Sequence, residues 1–549
     1  MPSFSLNRIL ILLAVSYLFF FFGNNFLSLT DPDETFYALT AKEMLAKGEW
    51  FTPLIFAQPQ FEKPILTFWL LKFAFQAGGI TPFAARFFPA LFATFGVLAV
   101  YFLGLLGFKE ERKAFLSALV LGTSAFFVAM GKTVFTDMVF TVFILYAILS
   151  FVWAFVDRRR IAAGFIAFYV FGALATLTKG PLGLLIPELI VVLFLFYRRQ
   201  ISFIRSPWVL MGLFVYACLV LPWYVYMFKL HGQAFIHEFF YNDHWRRWIE
   251  AEHKGADRWF FYPASMVAGL FPWSLFLVAG IVAMYHRLKN QAHVMDHLVL
   301  SWVLVTFVIF QSAHSKLTSY ILPLYPALAF MTGNFLDDQL LSLQKQKKMK
   351  LLLCMTLGIA MVLGVAVIAL RGLYQQYVPS TGPIYFLSGA LMALAGVGIV
   401  LVFKERLVGA IYAVSLFLLP MLFTVFMIGG NIEGHVSSFE ASQYIPQKSA
   451  TATTVLTGKM NARGIRYYTG QDVAVINSGG NPFFSPHPIP ILDTQEKIRE
   501  LLDRQHITYG VVKKSVYEDL SKNFAGYQAV LLKHVGPYYI LRIEPSGAS

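Results

Sequence analysis

Residues Arg8–Tyr37 read RILILLAVSYLFFFFGNNFLSLTDPDETFY: one basic residue, a long apolar run, then an acidic loop. The run Ile9–Leu29 has the length at which an α-helix crosses a bilayer core, about 20 residues. A cleavable signal peptide would be shorter and followed by a small-residue cleavage site, so the segment reads as a retained first helix. Similar blocks recur as far as Gly409–Ile428. Their lengths predict about thirteen transmembrane helices, near 8–29, 82–106, 114–131, 135–156, 161–178, 180–197, 207–228, 263–286, 298–313, 319–336, 351–370, 385–403 and 407–428. Composition agrees, since 57% of the 549 residues are hydrophobic and 13% charged, against roughly 25% charged in a soluble domain. The expected fold class is mainly α: a polytopic α-helical membrane protein with a small α/β domain at its C-terminus.

With Arg8 in the cytoplasm, every second turn should be cytoplasmic: Lys109–Lys113, Asp157–Arg160, Arg198–Arg205, Arg287–Lys289, Lys345–Lys350 and Lys404–Arg406. Each carries at least two Lys or Arg, as the positive-inside rule requires. The net charge of +14 therefore sits in short turns between apolar blocks and not on a folded basic surface, which argues against nucleic acid as a partner. An odd number of spans places the tail outside. There, short β-rich runs (Thr453–Thr457, Val473–Ile476, Ile507–Val512, Ala529–Lys533, Tyr538–Ile543) alternate with a helix at about Thr494–Gln505 capped by Asp493. The expected organisation is a membrane domain over 1–430 with outer loops 30–81 and 229–262, and a periplasmic α/β domain over 431–549. Cys218 and Cys354 lie in apolar runs without CxxC spacing, which indicates neither a disulfide framework nor a zinc cluster.

Any chemistry should lie on the outer face. Asp31 as N-cap, Pro32 at the first helical position, and Asp33 and Glu34 behind it predict a short helix along the membrane; the macrodipole alone would favour such acids. Gln60-Phe61-Glu62-Lys63-Pro64 sets an acid and a base beside an apolar stretch, compatible with a solvated pair. Asp137 is more telling, because an ionisable group at membrane depth costs roughly 2.5–3.5 kcal/mol on insertion and is a functional candidate by default. Lys179 and Lys316 sit at outer helix ends, where snorkelling would also explain them. The loop 229–262 holds His237, Glu238, Asn242, Asp243, His244, Arg246 and Arg247 among Trp245, Trp248 and Trp259, aromatics that suit an interfacial belt. His244 with a loop carboxylate could hold a divalent ion, although no regular ligand spacing is visible. Outward carboxylates and cations at the membrane surface suit a substrate with an anionic head and a lipid tail. Cations would neutralise a phosphate leaving group, and a carboxylate would take a proton from an attacking hydroxyl.

These segments resemble the membrane-embedded GT-C glycosyltransferases, in particular the bacterial aminoarabinose (4-amino-4-deoxy-L-arabinose) lipid A transferases and their protein O-mannosyltransferase relatives. The matching stretches are Asp33-Glu34-Thr35…Tyr37…Glu43-Met44-Leu45…Gly48…Trp50, Phe61-Glu62-Lys63-Pro64-Ile65, Asp137, Thr178-Lys179-Gly180, Phe271-Pro272-Trp273 and Lys316-Leu317…Tyr320-Ile321-Leu322, in family order over residues 30–325. The resemblance implies that Asp33 is the principal catalytic carboxylate and Asp137 the second acid. Glu62 and Lys63 would lie on a mobile loop closing over the donor. Lys63, Lys179 and Lys316, with Arg247 and Tyr320, would hold donor phosphate and substrate, and Glu62 and His244 would hold a divalent metal ion such as Zn, Mg or Mn. Asp243-His244-Trp245-Arg246-Arg247 matches the family's Glu-His-x-x-Arg-Phe loosely, and Thr318 stands where those enzymes have proline. The implied activity is inverting transfer of a sugar from a polyprenyl-phosphate donor to a periplasmic-face acceptor, lipid A or another envelope glycolipid, by a multi-pass enzyme of the bacterial inner membrane whose oligomeric state is open and compatible with a monomer. The alternatives are a protein O-mannosyltransferase-like enzyme, or a polyprenyl-linked sugar flippase or transporter. A transporter should show midplane polar residues or paired interrupted helices, whereas the charged residues here gather at outer helix ends.

Overall fold

The computed structural model of the protein describes residues 4–252, 254–290, 292–341, 343–375, 377–448, 450–477, 488–524 and 526–546. Among these residues, eight helices are long and apolar enough to cross a membrane: Pro82–Phe108, Thr136–Val156, Arg158–Lys179, Pro207–Ile249, Val294–Ser312, Lys345–Ala369, Gly382–Phe403 and Leu407–Val436. The number rises to 10 if two bent pairs each count as one span: Glu111–Gly122 with Ala125–Gly131, bent by 65°, and Phe261–Gly269 with Ser274–Asn290, bent by 114°. All thirteen expected blocks contain helix, yet the expected count of spans is not reached. Three blocks are shorter helices: Leu6–Phe21, Leu182–Tyr197, and Tyr325–Leu340 entered through the 3₁₀ turn Thr318–Leu324. The first stops where Gly23 takes a left-handed backbone, φ +78°, so apolar block length overestimates the helix.

The basic turns gather at one end of the bundle. Arg8 pairs with Glu111 at 3.1 Å, Lys113 and Arg287 both reach Asp338 at 3.4 and 3.3 Å, Arg112 pairs with Asp337, and Lys350 meets Glu405 at 2.8 Å. Arg158 donates to Gln200 at 3.3 Å, linking two more of these turns.

At the opposite end, loop 30–81 is folded: helix Asp33–Ala46, a hairpin of β1 (Leu54–Ile55) and β2 (Gln58–Pro59), and helix Leu66–Gly78. The first helix begins at Asp33, later than expected, because the Asp31 carboxylate is not a cap. It accepts from Thr35 Oγ1 (2.7 Å) and from Ser438 N (2.8 Å) and Oγ (2.5 Å).

The C-terminal domain is a six-stranded sheet, β3 (Thr454–Thr457), β4 (Asp472–Ile476), β5 (Ile491–Leu492), β6 (Thr508–Lys513), β7 (Tyr527–Val535) and β8 (Tyr538–Pro545), in the order β5-β4-β3-β6-β8-β7. The first four strands are parallel, and β8 and β7 close the sheet antiparallel. All five β-rich runs of the tail are strands. Helix Gln495–Arg504 is capped by Thr494, whose hydroxyl accepts from Lys497 N, and not by Asp493, which pairs with Lys497 Nζ at 2.7 Å. Helix Ala462–Thr469, between β3 and β4, packs on helix Asp33–Ala46 through Arg466–Glu43 (2.9 Å) and Lys42 Nζ donating to Tyr467 O (2.5 Å). That contact brings the tail over the membrane bundle.

Candidate active site

A cavity of about 620 Å³ opens where the outer helix ends, loop 30–81 and the C-terminal domain meet. Its lining includes Asp33, Tyr37, Glu62, Lys63, Asp137, Lys179, Arg247 and Tyr320. Segments more than 280 residues apart in sequence thus supply the expected carboxylates and cations to one space. What joins them is a buried pair away from the cavity wall. Arg86 donates Nε to Glu34 Oε1 (2.9 Å) and Nη2 to Glu34 Oε2 (2.6 Å), and its Nη1 donates to the carbonyls of Asn24 (3.0 Å) and Leu27 (2.7 Å). Glu34 also accepts from the backbone of Val134 (3.0 Å) and Thr30 (2.9 Å). A two-pronged Arg–carboxylate contact fixes orientation as well as distance. Because Asp33 precedes Glu34 and Asp137 closely follows Val134 in the chain, this contact holds the two acids at the same wall.

Each cation has a defined seat. Lys179 is hydrogen-bonded to Asp137, and its ammonium lies over the Tyr320 ring, 4.3 Å from the centroid. Lys63 donates to Asp243 Oδ2 at 2.7 Å. Arg247 donates to the Tyr320 hydroxyl at 3.1 Å and pairs with Glu252 at 2.8 Å and Asp243 at 3.0 Å. Burial alone would push the Lys63 ammonium down, but the Asp243 carboxylate outweighs it and holds the group above its usual range. Burial pushes the Asp33 carboxyl above the ordinary carboxylate range; Arg463 opposes the shift, and the carboxylates of Glu252, Asp137 and Glu34 reinforce it. A carboxyl raised toward neutrality is a better proton acceptor than an ordinary aspartate.

Two expected residues stand elsewhere. Lys316 is buried against Asp257, Nζ to Oδ1 2.6 Å, outside the cavity wall. His244 is also outside the lining, its Nδ1 2.6 Å from the Phe239 carbonyl and its ring packed on Phe239 at 4.7 Å. Among the described residues no three His, Cys, Asp or Glu side chains converge as a metal site. The carboxylate beside His244, Asp243, is committed to Lys63 and Arg247. Of the two residues expected to hold a metal ion, Glu62 lines the cavity and His244 does not. Sequence reasoning also missed Glu252, Lys459 and Arg463, all at the cavity. The last two sit just after strand β3 in the tail, where a basic residue at the carboxyl end of a strand was the available signal.

Apolar helices long enough to span a membrane thus carry a cavity of carboxylates and cations at one end, roofed by a small sheet domain. The family described as dolichyl-phosphate-mannose-protein mannosyltransferase matches residues 62–226. Sequence relatives include an uncharacterized protein of Aquifex aeolicus, 28% identical over 69% of this chain and 72% of that one. Another is an undecaprenyl phosphate-α-4-amino-4-deoxy-L-arabinose arabinosyl transferase of Pectobacterium carotovorum, 28% identical over 78% of this chain and 76% of its own. A second arabinosyl transferase of that description, from Pseudomonas fluorescens, is 28% identical over 64% of this chain but 59% of its own length. The crystal structure of ArnT from Cupriavidus metallidurans bound to undecaprenyl phosphate superposes with a TM-score of 0.80, covering 98% of both chains at 19% identity. The archaeal oligosaccharyltransferase AglB of Archaeoglobus fulgidus superposes at 0.51, over 92% of this chain and 69% of its own, at 11% identity. The chain thus has the fold of the ArnT structure, and its sequence is similar to undecaprenyl phosphate-α-4-amino-4-deoxy-L-arabinose arabinosyl transferases.

Proposed function

We propose that this protein is an inverting glycosyltransferase that moves a sugar from a polyprenyl-phosphate donor to lipid A or another envelope glycolipid at the periplasmic face of the bacterial inner membrane. The supporting observation is the convergence of Asp33 and Asp137 with Lys63, Lys179 and Arg247 on one cavity at the helix ends. A polyprenyl tail stays in the bilayer while its phosphate reaches these cations. There the phosphate competes with Asp137 for Lys179 and with Asp243 for Lys63, so donor entry releases carboxylate as it gains charge-assisted bonds. The acceptor oxygen attacks the anomeric carbon, the bond from that carbon to the phosphate oxygen breaks, and its electron pair leaves with the polyprenyl phosphate. Lys63, Lys179 and Arg247 stabilise that charge. A hydroxyl acceptor gives its proton to Asp33. An acceptor phosphate is already ionised, and Asp33 then positions it.

The purified protein, incubated with undecaprenyl-phosphate aminoarabinose and lipid A, should add one aminopentose mass to lipid A. Unmodified lipid A alongside a glycosylated protein acceptor would favour the mannosyltransferase-like alternative. Donor movement across vesicles without any transfer would favour the flippase. Orientation has its own check: a C-terminal alkaline phosphatase fusion should be active, and a cytoplasmic C-terminus would place the cavity on the wrong face.

A further inference from the structure

The chain leaves β3 toward β4 and β5 on one side of the sheet and returns to β6 on the other. This reversal makes the gap between β3 and β6 a topological switch point, and open α/β sheets bind ligands outside the carboxyl ends of their strands at such a point. The segment leaving the carboxyl end of β3 is Gly458-Lys459-Met460-Asn461, which opens helix Ala462–Thr469. Lys459 and Met460 from this segment and Arg463 from the first turn of that helix line the cavity. The ligand-binding edge of the tail therefore faces the site in the membrane domain.

The two walls differ in charge. The membrane-domain side contributes the acids Asp33, Glu62, Asp137 and Glu252 beside the bases Lys63, Lys179 and Arg247, whereas the C-terminal side contributes two bases and, among the described residues, no acid. Arg463 is held in place, its Nη1 donating to Pro32 O at 3.3 Å and its guanidinium lying 4.8 Å from the Phe36 ring centroid. It thus stands beside Asp33, which follows Pro32.

We propose that Lys459 and Arg463 form an acceptor subsite that binds the anionic, phosphate-bearing headgroup of a glycolipid, separate from the cations that hold the donor phosphate. The proposal rests on the reading of this cavity as a sugar-transfer site. It assigns the C-terminal domain the role of choosing a charged glycolipid and presenting it next to Asp33. A phosphate held by two cations gains charge-assisted bonds worth about ten- to a hundredfold in affinity.

The test uses lipid A with its phosphates intact and lipid A stripped of them by phosphatase. Lys459→Ala and Arg463→Gln should each raise KM for intact lipid A about tenfold, leave the KM for undecaprenyl-phosphate sugar within about twofold, and, in vesicle binding, lose the preference for the phosphorylated form. Lys459→Arg should restore it. Direct binding of vesicles containing either lipid A to the Asp33→Asn protein gives a readout independent of turnover. Vesicle binding that depends on Lys459 and Arg463, together with no sugar transfer by the unaltered protein, would sink the transfer reading and keep the anion subsite. Normal transfer with unchanged lipid A KM in both variants, a donor KM that rises in step, or a wild type indifferent to phosphate removal would overturn the subsite, as would a protein acceptor used in preference.

Discussion

The two ends of the helical bundle are both rich in ion pairs, but they use them differently. At the basic end, Lys350–Glu405 and Arg8–Glu111 leave side chains in contact with solvent. Pairs of that kind contribute about 0–1 kcal/mol; the positive-inside rule makes these turns the expected cytoplasmic ones. At the cavity end, Lys179–Asp137 and Lys63–Asp243 are nearly buried, with side-chain exposures of 12% and 4%, and of 13% and 7%. Taking such charges out of water costs several kcal/mol per ion before their attraction returns it. A fold selected for stability alone has little use for them, and beside a cavity they suit the proposed reception of a charged donor.

Removing a charge from the cavity should have the largest effect. Asp33→Asn and Asp137→Asn keep side-chain size and are expected to lower kcat by about 10²–10⁴ while still binding donor, measured by transfer of labelled sugar. Near-normal rates in both would erase the distinction between the two ends. Next comes Glu34→Gln, which never touches substrate. Weakening its contacts to Arg86 and Val134 should loosen the placement of both acids, lowering kcat about tenfold or more together with the thermal midpoint in detergent. A lower midpoint with unchanged kcat would make the contact structural only.

The pH profile should sharpen the contrast. Since Asp33 is raised and transfer to a hydroxyl needs its carboxylate, donor kcat/KM should fall on acidification at a pH above the ordinary carboxylate range. Arg463→Gln removes a charge that lowers Asp33, so the acid limb should move further up in pH. An unmoved limb would mean that another group titrates. The smallest effect is expected for Lys316→Met, where loss of the Asp257 pair should change kcat/KM less than about threefold, because Lys316 stands off the cavity. A loss as deep as that of Asp137→Asn would return it to the site.

The helices were legible because a bilayer demands apolar length, and every expected block contains one. Their number was not, because Gly23 ends the first helix early and Thr318–Leu324 winds as a 3₁₀ turn, features that block length cannot register. Asp33, Glu62, Lys63, Asp137, Lys179, Arg247 and Tyr320 could be found through motif order and through the cost of charge at membrane depth. His244 and Lys316 stand off the cavity lining, since adjacency in a motif does not say which way a side chain turns; one faces the Phe239 carbonyl and the other Asp257. The Arg86–Glu34 contact and the approach of Arg463 to Pro32 join residues 52 and 431 positions apart, and no local pattern announces such pairings.

The most direct test of the cavity as the seat of the donor phosphate is the affinity for undecaprenyl phosphate, read by tryptophan fluorescence in detergent. Lys63→Met and Lys179→Met should each raise Kd about tenfold or more, while Arg287→Ala, at the basic end, stays within about twofold of the unaltered protein. Equal Kd values in all three variants would contradict the assignment and leave the buried pairs as features of the fold alone.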